Sequence, residues 1–128
     1  MALAQNPYAR YKEQAISTAT PEKLIIMLFD GAIKFSGQAR KAIEEKDIPK
    51  ANEFLIRCQD IVSELMNSLN MDFEISRQIY SIYEYINYNF LQANIHKDVK
   101  YLDEADHYLK EMRATWIEAA KLAKNPKA

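Results

Sequence analysis

Glu104-Ala105-Asp106-His107 sets a carboxylate and an imidazole one helical turn apart, as in the Glu-x-x-His element that holds paired iron ions in helical bundles. That chemistry needs two such elements and two further inward glutamates. The only other histidine, His96, has Ala93 three positions before it, so the second element is missing. Glu104 and His107 also fall off the apolar stripe of their own helix and are expected to face water. The lone cysteine, Cys58, has no histidine near it in sequence and reads as a small core residue rather than a nucleophile. Asp30, Asp60 and Glu64 would suit acid–base work only if buried together, which their spacing does not show. Two glycines in the whole chain leave no room for a phosphate-cradling loop. The residues therefore point away from an enzyme, and no metal or cofactor is expected.

What is abundant instead is aromatic surface. Tyr80, Tyr83, Tyr85 and Tyr88 put four of the eight tyrosines within nine residues. Tyrosine buries its ring while keeping its hydroxyl wet, so such density suits a core rim or an interface equally.

The elements that must position these residues are helices. Four stretches carry apolar residues at steps of three and four, at about residues 20–45, 48–70, 73–96 and 99–123. The first opens on Thr20-Pro21-Glu22, a capping residue, a proline suited to the first helical position and an acid suited to the positive helix end. Its seam is Leu24, Leu28, Gly31, Phe35, Ala39 and Ala42, with a second face of Ile26, Phe29 and Ile33. Gly31 on the seam would let another backbone come close; nothing in the pattern accounts for Gly37. The second seam is Ile48, Ala51, Leu55, Cys58, Val62, Leu65 and Leu69, with Phe54, Ile61 and Met66 off it. The third is Ile75, Ile79, Ile82, Ile86, Phe90 and Ala93. The fourth is Leu102, Ala105, Leu109, Met112, Trp116, Ala119 and Ala123, with Tyr101 and Tyr108 as a parallel stripe. Glu45 to Pro49, Asn70 to Phe73 and His96 to Asp98 are short breaks, with Asp98 a candidate cap. Lys121, Lys124 and Lys127 suit the negative end of the last helix, and Asn125-Pro126 ends it. Short connections make sequential helices antiparallel neighbours, so the fold class is all-α: an up-down four-helix bundle. Residues 1–19 form an arm, in which Tyr8, Tyr11 and Ala15 share one face of a short helix that packs on the bundle or covers a binding surface.

Composition narrows the function classes. A net charge of −1 and a pI near 6.1 give no footprint for nucleic acid. The longest apolar run is six residues, Leu24 to Phe29, too short to enter a bilayer as a spanning helix. A single cysteine and no charged start followed by an apolar run fit a cytoplasmic protein. After the seams are assigned, Phe29, Ile33, Phe54, Ile61, Tyr80, Tyr88, Tyr101 and Tyr108 remain on flanks. With Ile26 and the arm's Tyr8 and Tyr11, they are the expected partner-contact residues, because an apolar patch of that extent marks a binding surface and interhelical grooves suit an amphipathic helix.

The stretch TPEKLIIMLFDGAIKF, Thr20 to Phe35, resembles the signature helix of the flagellin-specific export chaperones, the FliS family, with its Ser/Thr-Pro-Glu start and aromatic–acid–Gly-Ala centre. The resemblance continues through Gln59-Asp60-Ile61-Val62 with Glu64-Leu65, then Tyr83-Glu84-Tyr85-Ile86, then Leu91 to Asn94, and ends near Trp116. Tyr8 and Tyr11 match the tyrosine-bearing arm of the family. What this implies is a cytoplasmic four-helix bundle that binds the disordered C-terminal segment of flagellin. Bound flagellin would be kept from premature polymerisation and held competent for export. The resemblance also implies presentation to the cytoplasmic part of the flagellar export gate, and homodimers in several members. Tyr88-Asn89-Phe90 departs from the family, which carries basic residues there more often, so a charge contact at that place is not carried over. A constitutive homodimeric scaffold without cargo is the competing reading.

Overall fold

The computed structural model describes residues 21–124, which form four helices: α1 (Pro21–Glu44), α2 (Ile48–Asn67), α3 (Glu74–His96) and α4 (Val99–Lys124). Each packs on its sequence neighbours and α4 closes the ring on α1, while the backbones of the diagonal pairs α1/α3 and α2/α4 stay apart and only side chains meet across the middle. Up-down topology follows from connections too short to cross the bundle. The expected arm, with Tyr8, Tyr11 and Ala15, lies outside the described residues, as do the Thr20 cap, Asn125, Pro126 and Lys127.

The helix boundaries have local causes. Asp47 caps α2 by accepting the Lys50 N–H at 3.2 Å, with Pro49 in the first turn. Ser68 ends α2 three residues before the expected Asn70: its backbone N–H bonds Glu64 and Leu65 while its hydroxyl donates to the Leu65 carbonyl at 2.7 Å. Lys97 ends α3 in the left-handed region at φ 51°, and Asp98 then accepts the Lys100 N–H at 2.9 Å, the cap expected of it.

The core runs down the middle through Leu28, Phe29, Ala32, Leu55, Cys58, Ile61, Val62, Leu65, Tyr83, Ile86, Phe90, Leu102, Ala105 and Leu109. It corrects the expected seams at several places. In α1 the buried row is Leu28, Phe29, Ala32, Ser36, Ala39 and Ala42, so Phe29 is core while Leu24 and Phe35 are only half-buried. Ile61 is likewise fully buried in α2. Ile48 and Ile75, both expected on seams, are 49% and 58% exposed, and Ser76 is buried in place of Ile75. Tyr83 is fully buried, and its ring sits 6.1 Å from that of Phe29. The α4 seam stops at Trp116, because Ala119 and Ala123 face outward beyond the end of the packed ring. Gly31 admits no backbone; a Cβ there would meet Ile61 Cδ1 at 3.2 Å, so the glycine makes room for a side chain.

Candidate functional site

The chemically active types are placed apart from one another. Cys58 is buried, with its thiol 3.7 Å from the Ala32 carbonyl oxygen, and burial first, then the negative charge of Asp106, push its pKa well up. A thiol held protonated is a packing group. His107 is exposed and pairs with Glu111 at 2.9 Å, and Glu104 accepts the Tyr85 hydroxyl at 2.6 Å. Among the described residues no three metal-ligating side chains gather. Asp60 is exposed and Glu64 half-buried, as a solvated helix face requires. Asp30 is exposed and accepts from Arg113 at 2.6 Å, tying α1 to α4.

The surface left over by the core lies on both sides of α4. Between α1 and α4, a groove of about 470 Å³ has Ile33, Ala114 and Ile117 as its apolar lining, edged by Asp30–Arg113, Lys110 and Glu118. Between α3 and α4, a second recess of about 420 Å³ is lined by Tyr85, Tyr88, Asn89, Tyr101 and the polar side chains of Lys100, Asp103 and Glu104. Tyr85 stacks on Tyr88 and meets Tyr108 edge-on, at centroid distances of 6.3 and 5.4 Å. Tyr108 in turn meets His107 edge-on, and Tyr101 stacks with His96. Tyr88, Tyr85, Tyr108 and His107 thus form one connected chain of rings along the α3/α4 face, with Tyr101 and His96 as a separate pair.

Of the residues expected to touch a partner, Tyr88 is half-exposed, and Ile26, Ile33, Tyr80, Tyr101 and Tyr108 are partly buried at the surface. Phe54 is partly buried and stacked on Phe35 at 6.1 Å. Phe29 and Ile61 leave the set, since a fully buried side chain offers no area to a partner. Apolar surface that the sequence pattern did not single out appears on α2 and α3. Ile48 and Ile56 flank Asn52, and Leu91 and Ile95 flank Asn94, whose amide donates to Asn52 at 2.8 Å. Met71, Phe73 and Ile75 are exposed around the α2–α3 connection. Ile56 and Leu91 step off the seams by one residue and Ile95 by two, displacements that only an independent knowledge of helix rotation would have flagged.

A family model described as "Flagellar protein FliS" matches residues 4–123, the whole bundle included. The chain belongs to the FliS family. It is 39% identical over 115 residues to a "Flagellar secretion chaperone FliS" of Bacillus subtilis (strain 168), covering 90% of this chain and 86% of that one. It is 31% identical over 107 residues to the protein of the same name from Salmonella typhimurium (strain LT2), covering 81% and 79%. A solved "flagellar chaperone from bacteria" has the same fold, with a TM-score of 0.74 at 20% identity over 89% of this chain and 94% of that one.

Asp30-Gly31-Ala32, in the α1 stretch that carried the resemblance, has a physical content here. Asp30 binds α4 through Arg113, Gly31 seats Ile61 of α2, and the Ala32 carbonyl receives Cys58 of α2. Three consecutive residues lock α1 to both neighbours. The Tyr83-Glu84-Tyr85-Ile86 stretch is divided differently: Tyr83 and Ile86 are core, while Tyr85 opens the aromatic face. Trp116 donates its indole N–H to the Tyr83 hydroxyl at 3.0 Å, satisfying the one polar atom of a buried ring. Burial pushes the Tyr83 pKa up to about 12, the indole bond opposing only part of that rise.

Proposed function

We propose that this chain is a cytoplasmic flagellar export chaperone that binds the disordered C-terminal segment of flagellin, keeps it from premature polymerisation and holds it ready for secretion. Membership of the FliS family supports the reading, and the observation that carries it on the molecule is the surplus apolar surface on both sides of α4. A disordered segment that folds on binding buries roughly 1,000–3,000 Å² and loses about 2–5 kcal/mol to ordering. One small pocket cannot supply that area, so in this reading the cargo extends over the bundle surface beyond either recess beside α4. Ile26, Ile33, Phe54, Tyr80, Tyr88, Tyr101 and Tyr108 are the bundle contact residues of this reading, with amphipathic cargo helices lying across them. In this reading the chaperone delivers its cargo to the cytoplasmic part of the flagellar export gate; among the described residues no helix is long and apolar enough to cross a membrane. Residues 1–19, with Tyr8 and Tyr11, act in this reading as an arm that shields the apolar surface when cargo is absent.

Isothermal calorimetry of the full chain with a flagellin C-terminal peptide tests the assignment. Binding with a negative ΔCp is expected, because apolar surface leaves water. No heat at micromolar concentrations overturns it. Light scattering with and without the peptide separates a chaperone, which changes partner, from a constitutive homodimer, which does not.

A further inference from the structure

The α3/α4 recess differs in chemistry from a plain apolar groove. Its lining includes the side chains of Tyr85, Tyr88 and Tyr101 together with the carboxylates of Asp103 and Glu104. Asp103 already holds a guanidinium on its other side, that of Arg40 at 2.5 Å. Glu104 takes the Tyr85 hydroxyl through Oε2, and among the described residues no cation pairs with it. The recess also contains its own cation: Lys100 Nζ lies 5.1 Å over the Tyr101 ring, with its nearest carboxylate, Asp98, 3.9 Å away. An ammonium within about 6 Å of a ring centroid gains from the ring quadrupole. The site therefore accepts positive charge, and a tethered lysine fills only one of its three rings.

We propose that this recess is a recognition pocket for an arginine side chain presented by a partner segment, with Lys100 as a weak internal competitor. Arginine fits where lysine fits less well. Its planar guanidinium stacks on tyrosine faces while donating in its plane to a carboxylate, and it is less strongly hydrated than an ammonium. Tyr85 and Tyr88 are stacked nearly parallel, inclined by 16° with centroids 6.3 Å apart. A guanidinium plane can continue that stack on an outer ring face, and Glu104 stands beside Tyr85 as the acceptor. The charge complementarity argues against an anionic or purely aliphatic occupant. The pocket would give a bound segment its register: apolar grooves alone let a helix slide, whereas one arginine seated against one carboxylate fixes a single alignment. This goes beyond the cargo reading, because it names the side-chain chemistry of the occupant and stands whichever partner carries it.

The test uses the full chain with tyrosine rings labelled for NMR, titrated with N-acetyl-arginine amide. Its neutral isostere N-acetyl-citrulline amide and N-acetyl-lysine amide are the comparisons. Saturable shifts of Tyr85, Tyr88 and Tyr101 are expected with the arginine compound in the millimolar range, weaker ones with lysine and none with citrulline. Glu104→Gln keeps an acceptor for Tyr85 but removes the charge, and should weaken binding about threefold, the scale of an exposed cation–π or ion-pair contact. Lys100→Ala should strengthen it by about as much, for the same reason. Equal response to citrulline, no saturation at tens of millimolar, or an unchanged affinity in Glu104→Gln each overturns the proposal. Because no flagellin enters the experiment, its failure leaves the chaperone assignment standing, and the calorimetry can fail without touching the pocket.

Discussion

The α1/α2 and α3/α4 interfaces are built from the same three-and-four spacing and end in opposite conditions. Between α1 and α2 many of the facing residues are small, Gly31, Ala32, Ala39, Ala42, Ala51 and Cys58 among them, and the large ones, Ile61 against Gly31 and Phe54 on Phe35, pack directly on the opposite helix. This is the most extensive contact of the four helix pairs, close enough that a cysteine thiol lies against the Ala32 carbonyl. Between α3 and α4 the outer positions are tyrosines, whose rings pack on each other at 5–6 Å and leave a recess open to solvent. Helix separation is set by side-chain size at the contact. Small residues spend the interface on stability, and large amphipathic ones keep part of it available to a partner.

The sharpest way to break that contrast is to cut one large side chain on each side of it. Phe29→Ala should destabilise the fold by about 3–5 kcal/mol, the cost of a cavity in a core that cannot collapse. Tyr88→Ala should cost about 0.5 kcal/mol or less, because a half-exposed ring leaves no cavity, yet it should weaken the flagellin peptide. Urea denaturation and calorimetry on the two variants give four numbers. A Tyr88→Ala variant as unstable as Phe29→Ala would show the aromatic face to be core.

Tyr83 sharpens the same point at the boundary, being a tyrosine that went inward. Its folded pKa is raised to about 12 by burial, above an unfolded value near 10. The unfolded chain therefore gives up that proton first, and the stability this tyrosine contributes is fully present below pH 10 and lost as pH rises through 12. The loss is on the order of 2 kcal/mol by linkage. Urea midpoints measured across that window should fall, and Tyr83→Phe should remove part of the slope. A slope identical in Tyr83→Phe would mean that the phenol is not buried.

The two glycines of α1 provide the smallest and finest test. At Gly37 an added Cβ meets nothing within 4 Å, so Gly37→Ala should raise stability by about 0.5–1 kcal/mol through helix propensity alone. At Gly31 the same propensity gain is offset by crowding of Ile61 Cδ1 at 3.2 Å, so Gly31→Ala should gain less than Gly37→Ala or lose stability. Thermal melts of the two single variants decide it. Equal gains would show that the α1/α2 seam is looser than its small residues imply.

The sequence by itself determined the number of helices, their ends to within three residues, their up-down order and the family. Those properties rest on local chemistry: apolar period, the Asp98 cap and Pro49 near a helix start, short polar connections, and motif residues read in order. Which face of each helix points inward was decided only by tertiary structure. α1 is apolar over most of its first turns, and spacing alone put Leu24 and Phe35 on the core seam and Phe29 on a second face. Packing chose Phe29, because Tyr83 of α3 and the α2 row with Ile61 leave a space of that shape. The same competition turned Ile75 outward in favour of Ser76 and exposed Ile48. The aromatic recess is further still from the sequence. Tyr85 and Tyr88 become one pocket with Tyr101 and Glu104 only where α3 and α4 run side by side, and no periodicity within either helix contains that fact.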